Sequence, residues 1–138
     1  MANVDKTRLL LNANEKKVRS VVATRVQLAD FSGTDNLQLF VLPANCLITA
    51  ARVVVATAAQ ASTTLKIGTS AGGNDLGNAL ALSAAGVVGG ALTNGVDTGT
   101  GASVWIVPNQ APTAGDIDVV VEFIEYRRTN GELLNFNA

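Results

Sequence analysis

Residues 40–55 read FVLPANCLITAARVVV, and this stretch decides how the rest of the chain is interpreted. Pro43 lacks a backbone N–H and has a fixed φ, so it belongs at the end of a strand or in a turn. Ala44 and Asn45 then allow a change of direction, since asparagine tolerates turn conformations. The valines at 53–55 are β-branched and suit a pleated surface. The stretch therefore predicts one strand that runs into Pro43 and a longer strand that begins after Asn45.

Runs of alternating apolar and polar residues, separated by Gly, Pro, Asn and Asp, occupy most of the remaining chain. Such runs are typical of strands in an all-β protein. The clearest run is residues 117–126, in which Ile117, Val119 and Val121 share one face. Its other face is only partly polar, which suits contact with a partner. We predict strands at residues 18–31, 37–42, 46–57, 63–67, 86–92, 103–107 and 117–126.

Two stretches of the pattern need separate interpretation. Residues 78–85 fit either one helical turn, which their Ala and Leu favour, or a weak strand, which their neighbours favour. Asn94 followed by Gly95 is a strong hairpin signal. We therefore expect the chain to reverse there and to continue as a loop over residues 96–102. With residues 78–85 included, the count is about eight strands.

The composition agrees with two sheets packed face to face. The chain of 138 residues has the length of one domain, and it holds 21 Ala and 17 Val but only six aromatic residues. The core is therefore expected to be thin and built from small and β-branched side chains. No amphipathic helices separate the strands, which disfavours a parallel α/β fold. We predict an all-β fold, an antiparallel, jelly-roll-like β-sandwich over residues 18–126.

The two ends of the chain fall outside the strand pattern. Residues 1–17 are a predicted N-terminal arm, which either packs on its own body as a short helix or contacts a neighbouring subunit. Residues 127–138 are a predicted C-terminal tail, which either returns to a sheet edge or contacts a neighbour. The residues that we assign to partner binding are Lys6, Arg8, Leu9, Leu10, Leu11, Lys16, Lys17, Leu133, Leu134 and Phe136.

Charge and cysteine content narrow the partners and the compartment. The net charge of −1 provides no overall field for nucleic acid or an anionic membrane. Residues 1–30 carry six basic and three acidic side chains, which favours a partner with an acidic surface. Cys46 is the only cysteine, so we expect no intrachain disulfide, a reducing compartment and an inert, buried thiol. No signal-peptide pattern and no run of about 20 apolar residues is present, so we expect a soluble protein.

Few residues offer catalytic or metal-binding chemistry. The chain has no histidine, which excludes Ser-His-Asp and Cys-His arrangements and histidine zinc sites. Asp116 and Asp118 share one strand face, either as a calcium or acid–base pair or as a solvated strand start. Trp105 is either a core aromatic or a platform on which a sugar stacks. We therefore predict no enzymatic activity and no cofactor.

Several segments together resemble small virion proteins of tailed bacteriophages. They are LPANCLI, RVVV, TLKIGT and GDIDVVVEF, at residues 42–48, 52–55, 64–69 and 115–123. In that family a Leu-Pro-Ala-Gly run precedes a strand, and a Thr-Leu-x-Ile/Val-Gly run precedes an acidic turn. Asn45 and Cys46 stand where glycine is usual. The resemblance covers about residues 40–126 and neither end of the chain.

The resemblance implies a jelly-roll-like sandwich that decorates or cements a capsid, often as a trimer. We accordingly expect a capsid decoration (cement) protein, made in the host cytoplasm and placed on the capsid surface of the virion. Its expected partners are the major capsid protein and copies of itself in a homotrimer, with no nucleic acid and no membrane. The alternative is a carbohydrate-binding or tail or head-fibre module, with Trp105 or Tyr126 exposed beside polar loops.

Overall fold

Eight strands make up most of residues 19–127, the part of the chain that the computed structural model describes. They are β1 Ser20–Gln27, β2 Leu37–Leu42, β3 Cys46–Thr57, β4 Thr64–Gly68, β5 Gly77–Ala81, β6 Gly86–Asp97, β7 Ala102–Pro108 and β8 Asp116–Glu125. Sheet A has the order β1-β8-β3-β6, and sheet B has the order β2-β7-β4-β5. The prediction of an all-β sandwich with about eight strands is confirmed.

The pairing pattern is that of a jelly roll. β1 pairs with β8, β2 with β7, β3 with β6 and β4 with β5, and each of these pairs is antiparallel. The first four strands therefore fold back on the last four as one long ribbon. The ribbon wraps so that successive pairs fall alternately in sheet A and sheet B. The strand order thus agrees with the predicted jelly-roll-like topology.

β3 is one of the two inner strands of sheet A, and it begins after Asn45, as residues 40–55 predict. It pairs with β8 on one side and with β6 on the other. Pro43 directly follows β2, where its missing N–H interrupts no ladder. Asn45 has a φ of 61°, a left-handed conformation that asparagine tolerates better than most residues. The Pro-Ala-Asn turn therefore joins one sheet to the other.

Apolar side chains from alternate strand positions fill the space between the sheets. In β8, Ile117, Val119 and Val121 are fully buried, while the residues between them face outward. Among residues 19–127, Phe123 is the one aromatic side chain in the buried core. Sheet B contributes the fully buried Leu65, Ile67, Val104 and Ile106. The core is as aliphatic as the composition predicts.

The predicted hairpin at Asn94 and Gly95 is wrong. β6 runs through both residues without reversing, and its pairing with β3 shifts register there, so the extra residues form a bulge. Gly95 has a φ of 73°, and a Cβ at this position would lie 2.8 Å from Leu47 Cδ1. β3 continues past the bulge and offers pairing partners on both sides of it. Asn94 and Gly95 therefore lie within β6. The loop that was predicted over residues 96–102 is limited to residues 98–101.

Two other boundaries differ from the prediction. β5 settles the interpretation of residues 78–85 in favour of a weak strand, which forms an edge of sheet B. β1 ends at Gln27, and a 3-10 turn, Leu28–Asp30, replaces the end of the predicted strand. The inward face of β1 carries half-buried Val22 and buried Val26.

Candidate functional site

Both ends of the described chain lie at the same end of the sandwich. Ser20, the first residue of β1, pairs with Phe123, near the last residue of β8. Residues 1–18 and residues 128–138 therefore attach to neighbouring strands of sheet A. The connections β2–β3, β4–β5 and β6–β7 lie at this end, which we call the terminal end. The other four connections lie at the opposite end.

Backbone hydrogen bonds tie the β2–β3 turn into the terminal end. The Tyr126 N–H donates to the Asn45 carbonyl oxygen over 3.0 Å, and the Asn45 N–H donates to the Gly99 carbonyl oxygen over 2.9 Å. These two bonds join the residue after β8, the β2–β3 turn and the β6–β7 loop. The point where residues 128–138 attach is therefore fixed to two loops at once.

Thr98 is the buried polar residue of the terminal end. Its hydroxyl donates to the Pro43 carbonyl oxygen over 2.8 Å and accepts from the Cys46 N–H over 3.0 Å. A buried hydroxyl is costly unless it is bonded, and here both of its roles are used. Cys46 is fully buried, as predicted, and burial raises the pKa of its thiol, which keeps the thiol protonated and unreactive.

An exposed hydrogen bond links Asp97 to Tyr126 on the surface of this end. The Tyr126 hydroxyl donates to Asp97 Oδ1 over 2.9 Å, and the Gly99 N–H donates to the same oxygen over 2.9 Å. Both donors stabilise the carboxylate, so the Gly99 amide and then the Tyr126 hydroxyl lower the pKa of Asp97. The bond to Asp97 raises the pKa of Tyr126, because the phenolate would lose it.

The outer face of sheet A carries exposed apolar side chains. Val21 on β1 is 54% exposed and Val87 on β6 is 63% exposed, with Val54 of β3 and the half-buried Val120 of β8 between them. We call these four residues, which cross all four strands, the valine face. Apolar side chains grouped in this way favour contact with another protein surface. The prediction that residues 117–126 present a second, only partly polar face is confirmed.

Ion pairs interrupt the valine face. Arg52 Nη1 lies 3.3 Å from Glu122 Oε2, and Arg19 Nη1 lies 3.7 Å from the same oxygen. Arg25 Nη2 lies 3.4 Å from Asp118 Oδ2. Pairs at this exposure contribute little to stability, although they bias the orientation of a partner. Because Asp118 is engaged by Arg25, the geometry favours the solvated strand start over a calcium or acid–base pair.

A cleft of about 480 Å³ lies between β1 and β2 near the opposite end. β1 is an edge of sheet A and β2 is an edge of sheet B, so the cleft is an open side of the sandwich. Its apolar lining comes from Val26, Phe31, Leu37 and Leu39. Two carboxylates, those of Asp30 and Asp35, also line it. We call this feature the β1–β2 cleft.

Trp105 does not belong to the core. It lies on the outer face of sheet B, half-buried, opposite Gln38 on β2 and Gly68 on β4. The core side chains of β7 are instead Val104 and Ile106, on either side of it. The interpretation of Trp105 as a core aromatic is therefore wrong, because β7 has the opposite phase from the one that this interpretation requires.

The ten residues predicted to bind partners all lie outside the described residues. Seven of them fall in residues 1–18 and three in residues 128–138, so their roles stay predictions. The structure adds the full valine face, of which sequence reasoning predicted only the part on residues 117–126, and the β1–β2 cleft, which it missed. The signal for the first was present, since adjacent valines such as Val21 and Val22 place one apolar side chain on each face of a strand.

Comparisons with known proteins identify no relative. No family model matches the sequence, and neither the curated proteins nor the solved structures include a significant match. Within residues 19–127, no helix is long and apolar enough to cross a membrane. In the same part of the chain, no group of three or more His, Cys, Asp and Glu side chains could hold a metal ion. Function is therefore argued from the surfaces described above.

Proposed function

We propose that this protein is a capsid decoration protein of a tailed bacteriophage, which binds the major capsid protein through its terminal segments and stabilises the shell. The observation that carries this proposal is the attachment of both terminal segments to one end of the sandwich. The resemblance of residues 40–126 to small virion proteins supports it independently. The jelly roll alone supports no function, since the same fold serves many.

Attachment at one end gives two weak contacts a common target. Residues 1–18 hold four basic and two acidic side chains beside three leucines, and residues 128–138 hold Leu133, Leu134 and Phe136. Once one segment is bound, the other meets the same surface at a high effective concentration. That gain requires both segments to reach the surface together. The shared end is therefore the feature that this mode of binding needs.

The hydrogen bonds of the terminal end favour the same mode. The C-terminal segment departs after Tyr126, whose N–H is bonded to Asn45 in the β2–β3 turn. Thr98 in turn bonds this turn to the β6–β7 loop. A preorganised base loses less conformational entropy when its segments bind. A stable contact also requires about 1,000 Å² of total buried surface, which three copies in a homotrimer reach more readily than one. The proposal therefore includes self-association on the capsid surface of the virion, after synthesis in the host cytoplasm.

Deletion of residues 1–17 tests the proposal. Because strands β1–β8, which begin at Ser20, form both sheets and enclose the core between them, we expect the shortened chain to keep its β-sheet circular dichroism. We expect its binding to purified shells in co-sedimentation to weaken at least about tenfold, since one of two linked contacts is gone. Lys66→Gln is the control, because it removes a basic side chain from sheet B and leaves both terminal segments intact. Equal binding by the shortened and full chains would contradict the proposal.

One observation favours the carbohydrate-binding or fibre-module alternative. Trp105 is on an outer face, and the neighbouring Gln38 Nε2 donates to the Ser103 hydroxyl over 3.0 Å. One polar side chain beside the ring therefore comes from β2 and the other from β7 itself. Trp105 is the only tryptophan, so its fluorescence reports this face alone. A saturable fluorescence change with one member of a glycan panel would favour the alternative, provided that calorimetry detects the same binding and that Trp105→Ala abolishes the heat of binding. No change across the panel would favour decoration.

A further inference from the structure

The β1–β2 cleft is open along two strand edges. Among the described strands, β1 pairs only with β8, and β2 pairs only with β7. Their outer edges therefore present backbone N–H and C=O groups to the cleft side of the sandwich. An extended segment that enters the cleft can pair with such an edge, which is a common way for one chain to bind another. The backbone of the cleft thus favours a strand-like occupant.

The side chains of the cleft select the chemistry of that occupant. Phe31 and Leu39 are half-buried and pack against the core, while Leu37 is 40% exposed, so the floor is apolar. Asp30 and Asp35 add negative charge at the same site. Arg25 also lines the cleft, and its guanidinium is hydrogen-bonded to Asp118. An occupant with leucine-like side chains next to basic ones fits this combination.

The described part of the chain and the segment before it carry net charges of opposite sign. Residues 19–127 carry five basic and eight acidic side chains, a net charge of −3. Residues 1–18 carry four basic and two acidic side chains, a net charge of +2. Within that segment, residues 6–11 read KTRLLL, so two basic side chains precede three leucines directly. The segment therefore has the composition that the cleft selects.

We propose that residues 6–11 of one copy dock in the β1–β2 cleft of a neighbouring copy. In an extended segment, Leu10 points to the same side as Lys6 and Arg8, so it covers the apolar floor beside Leu37. Lys6 and Arg8 then lie close enough to Asp30 and Asp35 for ion pairing. This inference deepens the proposed function and rests on its self-association. It assigns residues 6–11 to the contact between copies, which leaves Lys16, Lys17 and residues 128–138 for the contact with the shell.

The length of chain before β1 limits how the copies are arranged. Seven residues, 12–18, lie between Leu11 and Arg19, and the eight steps from one to the other span at most about 26–29 Å when fully extended. β1 itself has eight residues and is about 26 Å long. A segment that leaves the terminal end of one copy therefore reaches the cleft of a copy packed beside it. A copy stacked beyond the terminal end, with its own cleft facing away, lies out of reach.

Mixed cysteine variants of the full chain test this contact. Leu10→Cys and Leu37→Cys are made separately, mixed in equal amounts and oxidised, so that a disulfide between positions 10 and 37 can form only between two chains. Cys46 is fully buried and does not compete. Val87→Cys replaces Leu37→Cys as the control, because Val87 is more exposed but lies at the other edge of sheet A. Mass spectrometry of the linked peptides identifies each product.

We expect the 10–37 product to form at least about tenfold faster than the 10–87 product, because docking raises the local concentration of the two thiols. Asp30→Lys combined with Asp35→Lys should remove that difference, and adding Lys6→Glu with Arg8→Glu should restore it. Equal rates for the two products would overturn the inference. So would a 10–37 disulfide that forms only within a single doubly substituted chain, since the segment would then occupy its own cleft.

The same preparations separate this inference from the proposed function. The two aspartate replacements leave the terminal end untouched, so their binding to shells in co-sedimentation can be compared directly with the unaltered chain. With Asp30 and Asp35 unaltered, shell binding without the 10–37 product would refute the docking between copies and leave decoration standing. The 10–37 product without any shell binding would support the docking and refute decoration.

Discussion

Among residues 19–127, each end of the sandwich has one buried threonine, and the two threonines are bonded differently. At the terminal end, the Thr98 hydroxyl joins two backbone groups, the N–H of Cys46 and the carbonyl of Pro43. At the opposite end, the Thr63 hydroxyl accepts a bond from the side-chain amide of Gln110 over 2.9 Å. The Gln110 amide can turn toward water when its partner is lost. The backbone groups around Thr98 are held in the β2–β3 turn and the start of β3.

The terminal end is therefore the end at which the fold can least easily adjust to the loss of a hydrogen bond. The chain places its least replaceable hydrogen bonds at the end where both terminal segments attach. The opposite end relies on amide side chains such as Gln60 and Asn109, which bridge the β3–β4 and β7–β8 loops near solvent. Binding through the two segments requires a firm base at the terminal end. Three substitutions test how much the hydrogen bonds at each end contribute.

Replacement of Thr98 by valine should have the largest effect. Valine keeps the shape of threonine but leaves the Cys46 N–H and the Pro43 carbonyl without the hydroxyl. Leaving these two buried backbone groups without a hydrogen-bond partner should lower the free energy of unfolding by about 2–4 kcal/mol. Urea unfolding followed by circular dichroism measures the loss, with Thr93→Val, an exposed position in a strand, as the control. A loss no greater than that of the control would show that the terminal end is not the firmer one.

Replacement of Thr63 by valine should cost less, about 1 kcal/mol, although Thr63 is the more deeply buried of the two. The released Gln110 amide keeps its bond to the Ala61 carbonyl and turns its other hydrogen to solvent. The same urea experiment gives the value. The comparison between the two ends fails if Thr63→Val destabilises the protein as much as Thr98→Val does.

Replacement of Tyr126 by phenylalanine should have the smallest effect, one seen chiefly in a titration. The folded-state pKa of Asp97 is lowered, so this carboxylate stabilises the fold above its unfolded pKa of about 3.9. That contribution disappears as the pH falls through the lower folded-state pKa. Without the Tyr126 hydroxyl the Gly99 amide bond remains, so the pKa of Asp97 should rise only part of the way back.

An NMR titration of the Asp97 side-chain carboxyl carbon measures that rise. Tyr126 is largely solvent-facing, so the unfolding midpoint at neutral pH should barely move. An unchanged or lower pKa of Asp97 in Tyr126→Phe would show that the hydroxyl does not hold the carboxylate. The attachment of the C-terminal segment would then depend on the backbone bonds of Tyr126 and Asn45 alone.

Much of the fold follows from the sequence, because strand alternation and turn residues act locally. β3 begins and ends where residues 46–57 predict, and Asn45 takes the turn. Asn94 and Gly95 mislead because their turn preference is weaker than continued pairing with β3, which no local pattern reveals. Trp105 misleads for a related reason, since the phase of a short strand is set by its partners across the sheet.

The candidate site was less predictable than the fold. That both terminal segments attach to one end depends on β1 pairing with β8, two strands at opposite ends of the sequence. The β1–β2 cleft depends on the packing of two edge strands from different sheets. Neither relation has a signature within a short window of sequence. The basic and leucine-rich character of residues 6–11, in contrast, can be seen in the sequence alone.

The central claim is that this protein holds a shell through the end of the sandwich at which its chain ends attach. Electron cryomicroscopy of shells incubated with the full chain tests it most directly, because the jelly roll can be oriented within the added density. We predict that the β2–β3 turn and the β6–β7 loop face the shell, with the β1–β2 connection pointing outward. Added density with the opposite end against the shell, or no added density at saturating protein, would contradict the claim.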